Sequence, residues 1–123
     1  MTFGLSDATI EKIRSVFARH PQVEKAVLYG SRAKGTFRNG SDIDLTLFGD
    51  GLTYELLSLI SRELDDLLLP YSFDLSLFAH IRDADVIDHI RRVGVVFYEK
   101  PAAASDAARK LSVVEEKPGN FIN

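Results

Sequence analysis

Two acidic residues, Asp42 and Asp44, are separated by one apolar residue. With this spacing, their carboxylates could act together in a reaction. Alternate residues of a strand project to the same face, so these carboxylates would lie roughly 6–7 Å apart at the backbone. Carboxylates placed so closely repel each other unless a cation lies between them. Hard divalent cations such as Mg²⁺ take oxygen ligands and leave positions open for phosphate oxygens. The pair therefore predicts a divalent metal site.

A glycine–serine turn and a short basic segment precede this pair. Gly30 and Ser31 follow a nearly all-apolar run, and Arg32, Lys34 and Arg38 come next. Glycine lets a backbone approach a phosphate closely, and serine adds a hydroxyl and an amide donor. Lys34, with Arg32 beside it, would neutralise charge on a leaving pyrophosphate. The sequence thus predicts that a polyphosphate binds next to the metal site.

Asp74 is the third candidate carboxylate. It belongs to an alternating segment, residues 72–78, whose polar members share one face. Neighbouring strands are about 4.8 Å apart, so a strand beside Asp42 and Asp44 would bring the three carboxylates together. Two metal ions about 3.5–4 Å apart would then clamp the attacking and leaving oxygens of an in-line displacement at phosphorus.

The elements that must position these side chains follow from the hydrophobic pattern. The predicted order is helix, strand, loop, strand, helix, strand, helix, strand, at residues 7–20, 23–29, 31–41, 42–48, 53–69, 72–78, 83–93 and 95–98. This order favours an α/β or α+β domain with a small mixed sheet flanked by helices. We assign residues 1–100 to this domain. Residues 101–123 are small and polar, and we interpret them as a flexible or partner-docking tail.

Composition narrows the class of partner. The 123 residues carry a formal net charge of −3 and no cysteine. Proteins that hold a long nucleic acid usually show a basic excess, because phosphate contacts dominate that affinity. The sequence also shows neither an apolar run of about 18 residues nor a signal-peptide pattern. We therefore expect a cytoplasmic protein that binds a small polyphosphate, with no long nucleic acid and no membrane as partner.

Together these motifs resemble a known family. The segment Gly30-Ser31-Arg32-Ala33-Lys34-Gly35, followed by Ser41-Asp42-Ile43-Asp44-Leu45 and later by Asp74, is similar to the minimal prokaryotic branch of the nucleotidyltransferase superfamily that shares the DNA polymerase beta fold. The resemblance covers about residues 1–100. It implies that Asp42 and Asp44 bind two Mg²⁺ ions, with Mn²⁺ as the alternative ion. It also implies that Asp74 binds the catalytic ion and orients the attacking hydroxyl. The nucleotide-binding set that it implies is Gly30, Ser31, Arg32, Lys34 and Ser41.

The same resemblance implies transfer of a nucleoside monophosphate, AMP from ATP or another NTP, to an acceptor hydroxyl. Minimal members are typically paired with a separately encoded helical protein, in many cases a HEPN-domain ribonuclease toxin, and act as antitoxins by adenylylating a toxin tyrosine. The lack of a large acceptor-binding module favours this interpretation and a homo- or hetero-oligomer. Two alternatives stay open. One is a small-molecule nucleotidyltransferase of the aminoglycoside-modifying kind with a separate substrate-binding subunit, and the other is a non-catalytic antitoxin that acts by occlusion.

Simpler explanations apply to the remaining motifs. Residues 30–36 are not a P-loop, because Thr36 stands where that motif requires lysine. Thr46 and Leu47 do not continue a calcium-binding loop. Asp83-Ala84-Asp85 repeats the spacing of the first aspartate pair but lies at a predicted helix start, where acidic residues cap the helix. The three histidines show no metal-ligand spacing and are assigned no catalytic role.

Overall fold

The computed structural model describes residues 2–101, and the predicted helices and strands are all present in it. They are α1 (Asp7–Ala18), β1 (Lys25–Tyr29), α2 (Ser31–Lys34), β2 (Ile43–Phe48), α3 (Tyr54–Asp65), β3 (Phe73–Leu77), a 3₁₀ turn (Phe78–His80), α4 (Ala84–Val93) and β4 (Val95–Glu99). The predicted tail lies outside the described residues, apart from Pro101. Across residues 2–101, no helix has the length and apolar character needed to cross a membrane.

One four-stranded sheet, in the order β3-β2-β1-β4, forms the centre of the domain. β1 pairs antiparallel with β2 and with β4, whereas β2 and β3 run parallel. A parallel pair needs a long crossover connection, and α3 lies in the connection between β2 and β3. The prediction of an α+β domain with a mixed sheet is therefore confirmed.

One face of the sheet packs against α1 and α3. Leu28 of β1 and Leu45 of β2 are paired in register on this face, and both are fully buried. The buried residues of the two helices are Ile10, Ile13, Val16 and Phe17 in α1, and Ile60 and Leu64 in α3. Burying each such side chain stabilises the fold by roughly 1.5–3 kcal/mol. Because side chains alternate along a strand, the polar residues of β2 and β3 occupy the opposite face.

Three of the helices begin at a capping side chain. Ser6, Thr53 and Asp83 each accept a hydrogen bond from a backbone amide two or three residues further along the chain. Such a cap satisfies a donor that the first turn of a helix leaves unpaired. The capping role predicted for Asp83 is confirmed.

The helix α3 ends earlier than predicted, at Asp65 rather than near Leu69. The amides of Leu67 and Leu68 bond three residues back instead of four, to Leu64 and Asp65. Leu68 then takes a positive φ of 57°, a conformation in which a right-handed helix cannot continue. Leu68 is 88% exposed, so it does not belong to the apolar face that α3 packs against the sheet, contrary to the expectation for a helix that continued to Leu69. The other predicted bounds differ from those observed by no more than two residues.

Candidate active site

Asp44 and Asp74 lie side by side in the sheet. The parallel strands β2 and β3 pair these two residues in register, and register neighbours project to the same face. Tyr29 of β1 is paired with Asp44 on its other side. A phenol and two carboxylates therefore form one row across three adjacent strands, about 4.8 Å from strand to strand. The expected neighbourhood of β2 and β3 is present in the structure.

Asp42 stands immediately before β2 and is exposed. Being two residues from Asp44, it belongs to the same face. Within residues 2–101, no three His, Cys, Asp or Glu side chains converge as a ready-made metal cage. The carboxylates of Asp42, Asp44 and Asp74 would therefore supply only part of a coordination shell.

Within the described part of the chain, no ion pair neutralises the negative charge of the row. Burial raises the pKa of the Asp44 carboxyl, and the charges of Asp74 and then Asp42 raise it further. His89 and Arg32 act in the opposite direction, but more weakly. None of the ion pairs within residues 2–101 includes any of the three carboxylates. A cation bound here would relieve this repulsion.

Gly30 lies against Asp44. Its φ of 76° belongs to the left-handed region, and it stands directly between β1 and α2. A Cβ at this position would collide with Oδ2 of Asp44. Only glycine satisfies both the backbone conformation and this close approach. The predicted turn and the predicted metal ligand are thus one structural unit.

The short helix α2 places Ser31 and Lys34 beside this unit. Ser31 is half-buried in its first position, and the exposed Lys34 lies in its last. The carbonyl of Gly30 accepts a hydrogen bond from the amide of Lys34 (3.1 Å). The first amides of a helix have no partner within it, so those of α2 are available to an acceptor outside.

Arg32 and Ser41, both expected to bind the nucleotide, make hydrogen bonds within the protein. Arg32 is only 2% exposed, and its guanidinium donates hydrogen bonds to the carbonyls of Phe3 and Ser41. The hydroxyl of Ser41 accepts a hydrogen bond from the amide of Arg38 (2.8 Å) and so closes the loop between α2 and β2. The guanidinium of Arg32 is thus buried and satisfied within the protein, whereas Ser41 is half-buried.

Tyr29 and His89 are neighbours of the carboxylates that the sequence does not single out. Their rings meet edge to face, 6.3 Å apart at the centroids. Burial raises the pKa of the Tyr29 hydroxyl, a contact with Ser76 opposes this shift, and the charges of Asp74 and Asp44 add to it. The sequence does indicate the position of Tyr29, because this residue ends a predicted strand next to Gly30. The approach of His89 depends on how α4 packs on the sheet.

A groove of ≈ 360 Å³ continues the same sheet face away from the carboxylates. Phe48 and Phe78 are stacked in it with their centroids 4.4 Å apart, and the ammonium of Lys25 lies 4.6 Å from the centroid of Phe48. Ile90 and Arg91 of α4 line it too, with Gly94 just after this helix and with Val27 and Val96. The face is therefore acidic at one end and mainly apolar at the other.

Solved structures with a similar fold include toxin–antitoxin proteins. One is a toxin–antitoxin with AMP-PNP, with a TM-score of 0.62 and 19% identity over 84% of each chain. Another is the toxin–antitoxin MntA-HepT, with a TM-score of 0.58 and 15% identity over 87% of this chain and 85% of the other. A third is a tri-AMPylated Shewanella oneidensis HEPN toxin in complex with an MNT antitoxin, with a TM-score of 0.58 and 15% identity over 88% and 85%. At such identities the likeness concerns the fold.

The family comparison is more specific. No curated protein matches the chain. The model of the family described as "Polymerase beta, Nucleotidyltransferase" matches residues 11–103, a range that contains the glycine turn and all three carboxylates. The chain therefore belongs to the polymerase beta nucleotidyltransferase family.

Proposed function

We propose that this nucleotidyltransferase transfers AMP from ATP to a hydroxyl group of a partner protein in a reaction that depends on a divalent metal. The observation that carries the proposal is the row of Asp44 and Asp74, with Gly30 packed against Asp44. In this arrangement a turn that could bind phosphate would directly contact a pair of carboxylates that could bind a cation.

The donor set fits a divalent cation. Asp44 is held near two like charges and is partly desolvated, so a cation stabilises its ionised form. Mg²⁺ is usually bound through one or two carboxylates together with substrate phosphates rather than by an all-protein cage. Asp42 and Asp44 would hold two ions, Mg²⁺ or alternatively Mn²⁺, and Asp74 would share one of them. When bound, these ions would neutralise charge on the phosphoryl group being transferred.

The turn at Gly30 would hold the triphosphate of ATP. Its backbone conformation and the absence of a Cβ let phosphate oxygens approach the amides that begin α2. The hydroxyl of Ser31 adds a donor, and the exposed Lys34 adds a positive charge beside the leaving group. These residues would orient ATP so that its α-phosphorus lies over the carboxylate row.

The reaction is a substitution at that α-phosphorus. The acceptor oxygen forms a bond to it, the bond from it to the oxygen that bridges to the β-phosphorus breaks, and pyrophosphate leaves. Asp74, at the exposed side of the row, would accept the hydrogen bond of the acceptor hydroxyl and take its proton. Positioning and electrostatic stabilisation provide most of the catalysis in such a transfer.

Two observations support a protein as the acceptor. Asp42 and Asp74 are exposed, so the carboxylate row is accessible to a large acceptor. Among solved structures of similar fold, one antitoxin is in complex with a HEPN toxin that is itself tri-AMPylated. We therefore propose a HEPN-type toxin as the partner, a tyrosine as its acceptor and an antitoxin role for this chain. A cytoplasmic site of action follows from that role.

The test combines the purified chain with the product of the adjacent gene, ATP labelled at its α-phosphate and Mg²⁺. Label on that protein, absent with the double variant Asp42→Ala, Asp44→Ala, would support the proposal. Mass spectrometry of the labelled protein would then locate the added AMP on a tyrosine.

Two further experiments, one with a cell extract in place of the partner and one that measures neutralisation of the partner, could replace the proposal. Label that appears only on small molecules of a cell extract would indicate a small-molecule nucleotidyltransferase. Neutralisation of the partner by the double variant, as strong as by the wild type, would indicate occlusion without catalysis.

A further inference from the structure

The guanidinium of Arg32 is buried among backbone carbonyls. Nε and Nη2 donate to the carbonyl of Ser41 at 3.0 and 2.9 Å, and Nη1 donates to the carbonyl of Phe3 at 2.8 Å. Arginine is almost never fully buried unless its charge and its donors are satisfied. Here carbonyl oxygens satisfy the donors, so the side chain links two segments that are distant in sequence.

Two aromatic rings complete the surroundings of this charge. The guanidinium carbon lies 5.2 Å from the centroid of Phe37 and 4.9 Å from that of Tyr71. Both distances fall within the range of cation–π attraction. We call the guanidinium of Arg32, the carbonyls of Phe3 and Ser41, and the rings of Phe37 and Tyr71 the Arg32 clamp.

The N-terminal turn, residues 2–5, packs against the clamp. Phe3 and Gly4 both have positive φ, 57° and 73°, and reciprocal backbone hydrogen bonds between Thr2 and Leu5 hold the turn closed. A Cβ on Gly4 would collide with the ring of Phe37 and stand 3.0 Å from Nη1 of Arg32. A non-glycine residue such as Phe3 takes this conformation only where its surroundings impose it.

The clamp joins all the segments that carry the candidate site. Arg32 follows Ser31 in α2, the carbonyl of Ser41 belongs to the peptide that leads into Asp42, and Tyr71 lies three residues before Asp74. Within residues 2–101, the hydrogen bonds between residues 36–41 and other segments run to α2 only, and Arg32 donates two of them. Arg32 therefore holds the peptide before Asp42, while the amide of Ile43 after it donates to the carbonyl of Ser72 in the sheet.

We infer that Arg32 is a positioning residue that holds Asp42 and the turn at Gly30 in place against Asp44, and that it acts through the clamp rather than by contact with the nucleotide. This inference rests on the proposed function, because it assigns Arg32 a part in forming that site. Its consequence is that damage to the clamp weakens metal and nucleotide binding even when Arg32 itself is retained.

The test compares Arg32→Lys with a matched control, Arg14→Lys. Arg14 makes the same kind of contact away from the site: its Nε donates to the carbonyl of Phe97 at 2.8 Å, and its guanidinium carbon lies 5.6 Å from the centroid of that ring. Affinity for ATP with Mg²⁺ is measured by calorimetry, and affinity for Mn²⁺ alone by electron paramagnetic resonance. Circular dichroism checks that each variant is folded at the working temperature.

We expect both substitutions to lower the melting temperature, but only Arg32→Lys to weaken the binding of Mn²⁺ and of ATP with Mg²⁺, each by about tenfold or more, which is 1.4 kcal/mol. Gly4→Ala keeps Arg32 and disturbs the clamp from its other side, and it should weaken both affinities in the same way. If Gly4→Ala does not fold, Phe37→Leu removes one ring of the clamp for the same purpose.

The outcomes separate the inference from the proposed function. If the wild type fails to bind ATP with Mg²⁺, the proposed function is wrong. If the wild type binds and the clamp variants bind equally well, the inference is overturned. It is overturned too if Arg32→Lys alone loses ATP affinity while Mn²⁺ binding and the other clamp variants are unaffected, because that pattern indicates direct contact with the nucleotide.

Discussion

Gly30 packs its backbone directly against the carboxylate of Asp44. No side chain fits between them, so under the proposed function a phosphate held by the turn would lie next to the carboxylate that binds the metal. The contact joins the end of β1 to the middle of the site, and the register of β1 with β2 fixes it. The proposed phosphate-binding and cation-binding sites would therefore meet at one point of the sheet.

Gly30→Ala should reduce affinity for ATP with Mg²⁺ by about a hundredfold, because the new Cβ displaces Asp44. Gly35→Ala is the matched control: Gly35 also has a positive φ, 81°, but its added Cβ meets open space. It should lose about 1–2 kcal/mol of folding stability and retain binding. Calorimetric titration of both variants measures the difference. Equal losses of affinity would show that backbone strain, and not contact with Asp44, matters at Gly30.

Asp74→Asn should lower the turnover number for nucleotidyl transfer by about a hundredfold and leave the KM for ATP within about threefold of the wild-type value. The reason is that the proposed role of Asp74 concerns the acceptor hydroxyl more than the triphosphate. The double variant Asp83→Ala, Asp85→Ala serves as control, since it removes the Asp83 side chain that caps α4 and the Asp85 side chain in its first turn. It should be less stable but retain its turnover number. Unchanged turnover in Asp74→Asn would remove that residue from the mechanism.

Asp44→Asn should stabilise the metal-free protein. Burial and the charges of Asp74 and Asp42 raise the pKa of Asp44, so the folded state disfavours its ionised form at neutral pH. With a chelator present, we expect the melting temperature of the variant to exceed that of the wild type by up to about 5 °C. Added Mg²⁺ should raise the melting temperature of the wild type and leave that of the variant unchanged. A variant less stable than the wild type in chelator would contradict the charge repulsion described for the row.

A contact outside the site should make stability depend on pH in the acid range. Glu63 of α3 accepts hydrogen bonds from His20 Nε2 (2.8 Å) and Arg19 Nη2 (3.3 Å) at the end of α1. These contacts, chiefly the hydrogen bond from His20, lower the pKa of Glu63 from its ordinary value of 4.5. A lowered pKa stabilises the fold above the ordinary value and the stabilisation is lost as pH falls through the lowered one.

Urea unfolding measured at pH values from neutral to below 4.5 tests this contact. The free energy of unfolding of Glu63→Gln should be below that of the wild type at neutral pH, and the two should converge as the pH falls through the lowered pKa of Glu63. Glu11→Gln is the control, because Glu11 pairs only with Arg14, one turn further along the same exposed helix face. A constant difference between Glu63→Gln and the wild type at every pH would mean that the charge of Glu63 contributes nothing.

The carboxylate pair and the glycine turn were predictable because their signals are local. Alternation along residues 42–48 puts Asp42 and Asp44 on one face, and Gly30 ends an apolar strand whatever the rest of the fold. The neighbourhood of Asp74 needed a further assumption, that β3 lies beside β2, which the chain pattern favours but does not require.

The role of Arg32 was not predictable from local signals. A basic residue next to a phosphate-binding turn is expected to contact phosphate, and its burial depends on Phe3 and Tyr71, which are distant in sequence. The place of His89 beside Asp44 similarly depends on helix packing. The end of α3 was not predicted, because a leucine in the sequence does not indicate the positive φ that Leu68 adopts. Tertiary contacts decide the places of Arg32 and His89.

The most direct test of the site is calorimetric titration of the chain with a non-hydrolysable ATP analogue, with Mg²⁺ and with a chelator. We predict binding by the wild type that requires the metal, and its loss in a folded double variant, Asp42→Ala, Asp44→Ala. Binding of equal affinity in the chelator, or in the double variant, would contradict the assignment of these carboxylates to a metal-dependent nucleotide site.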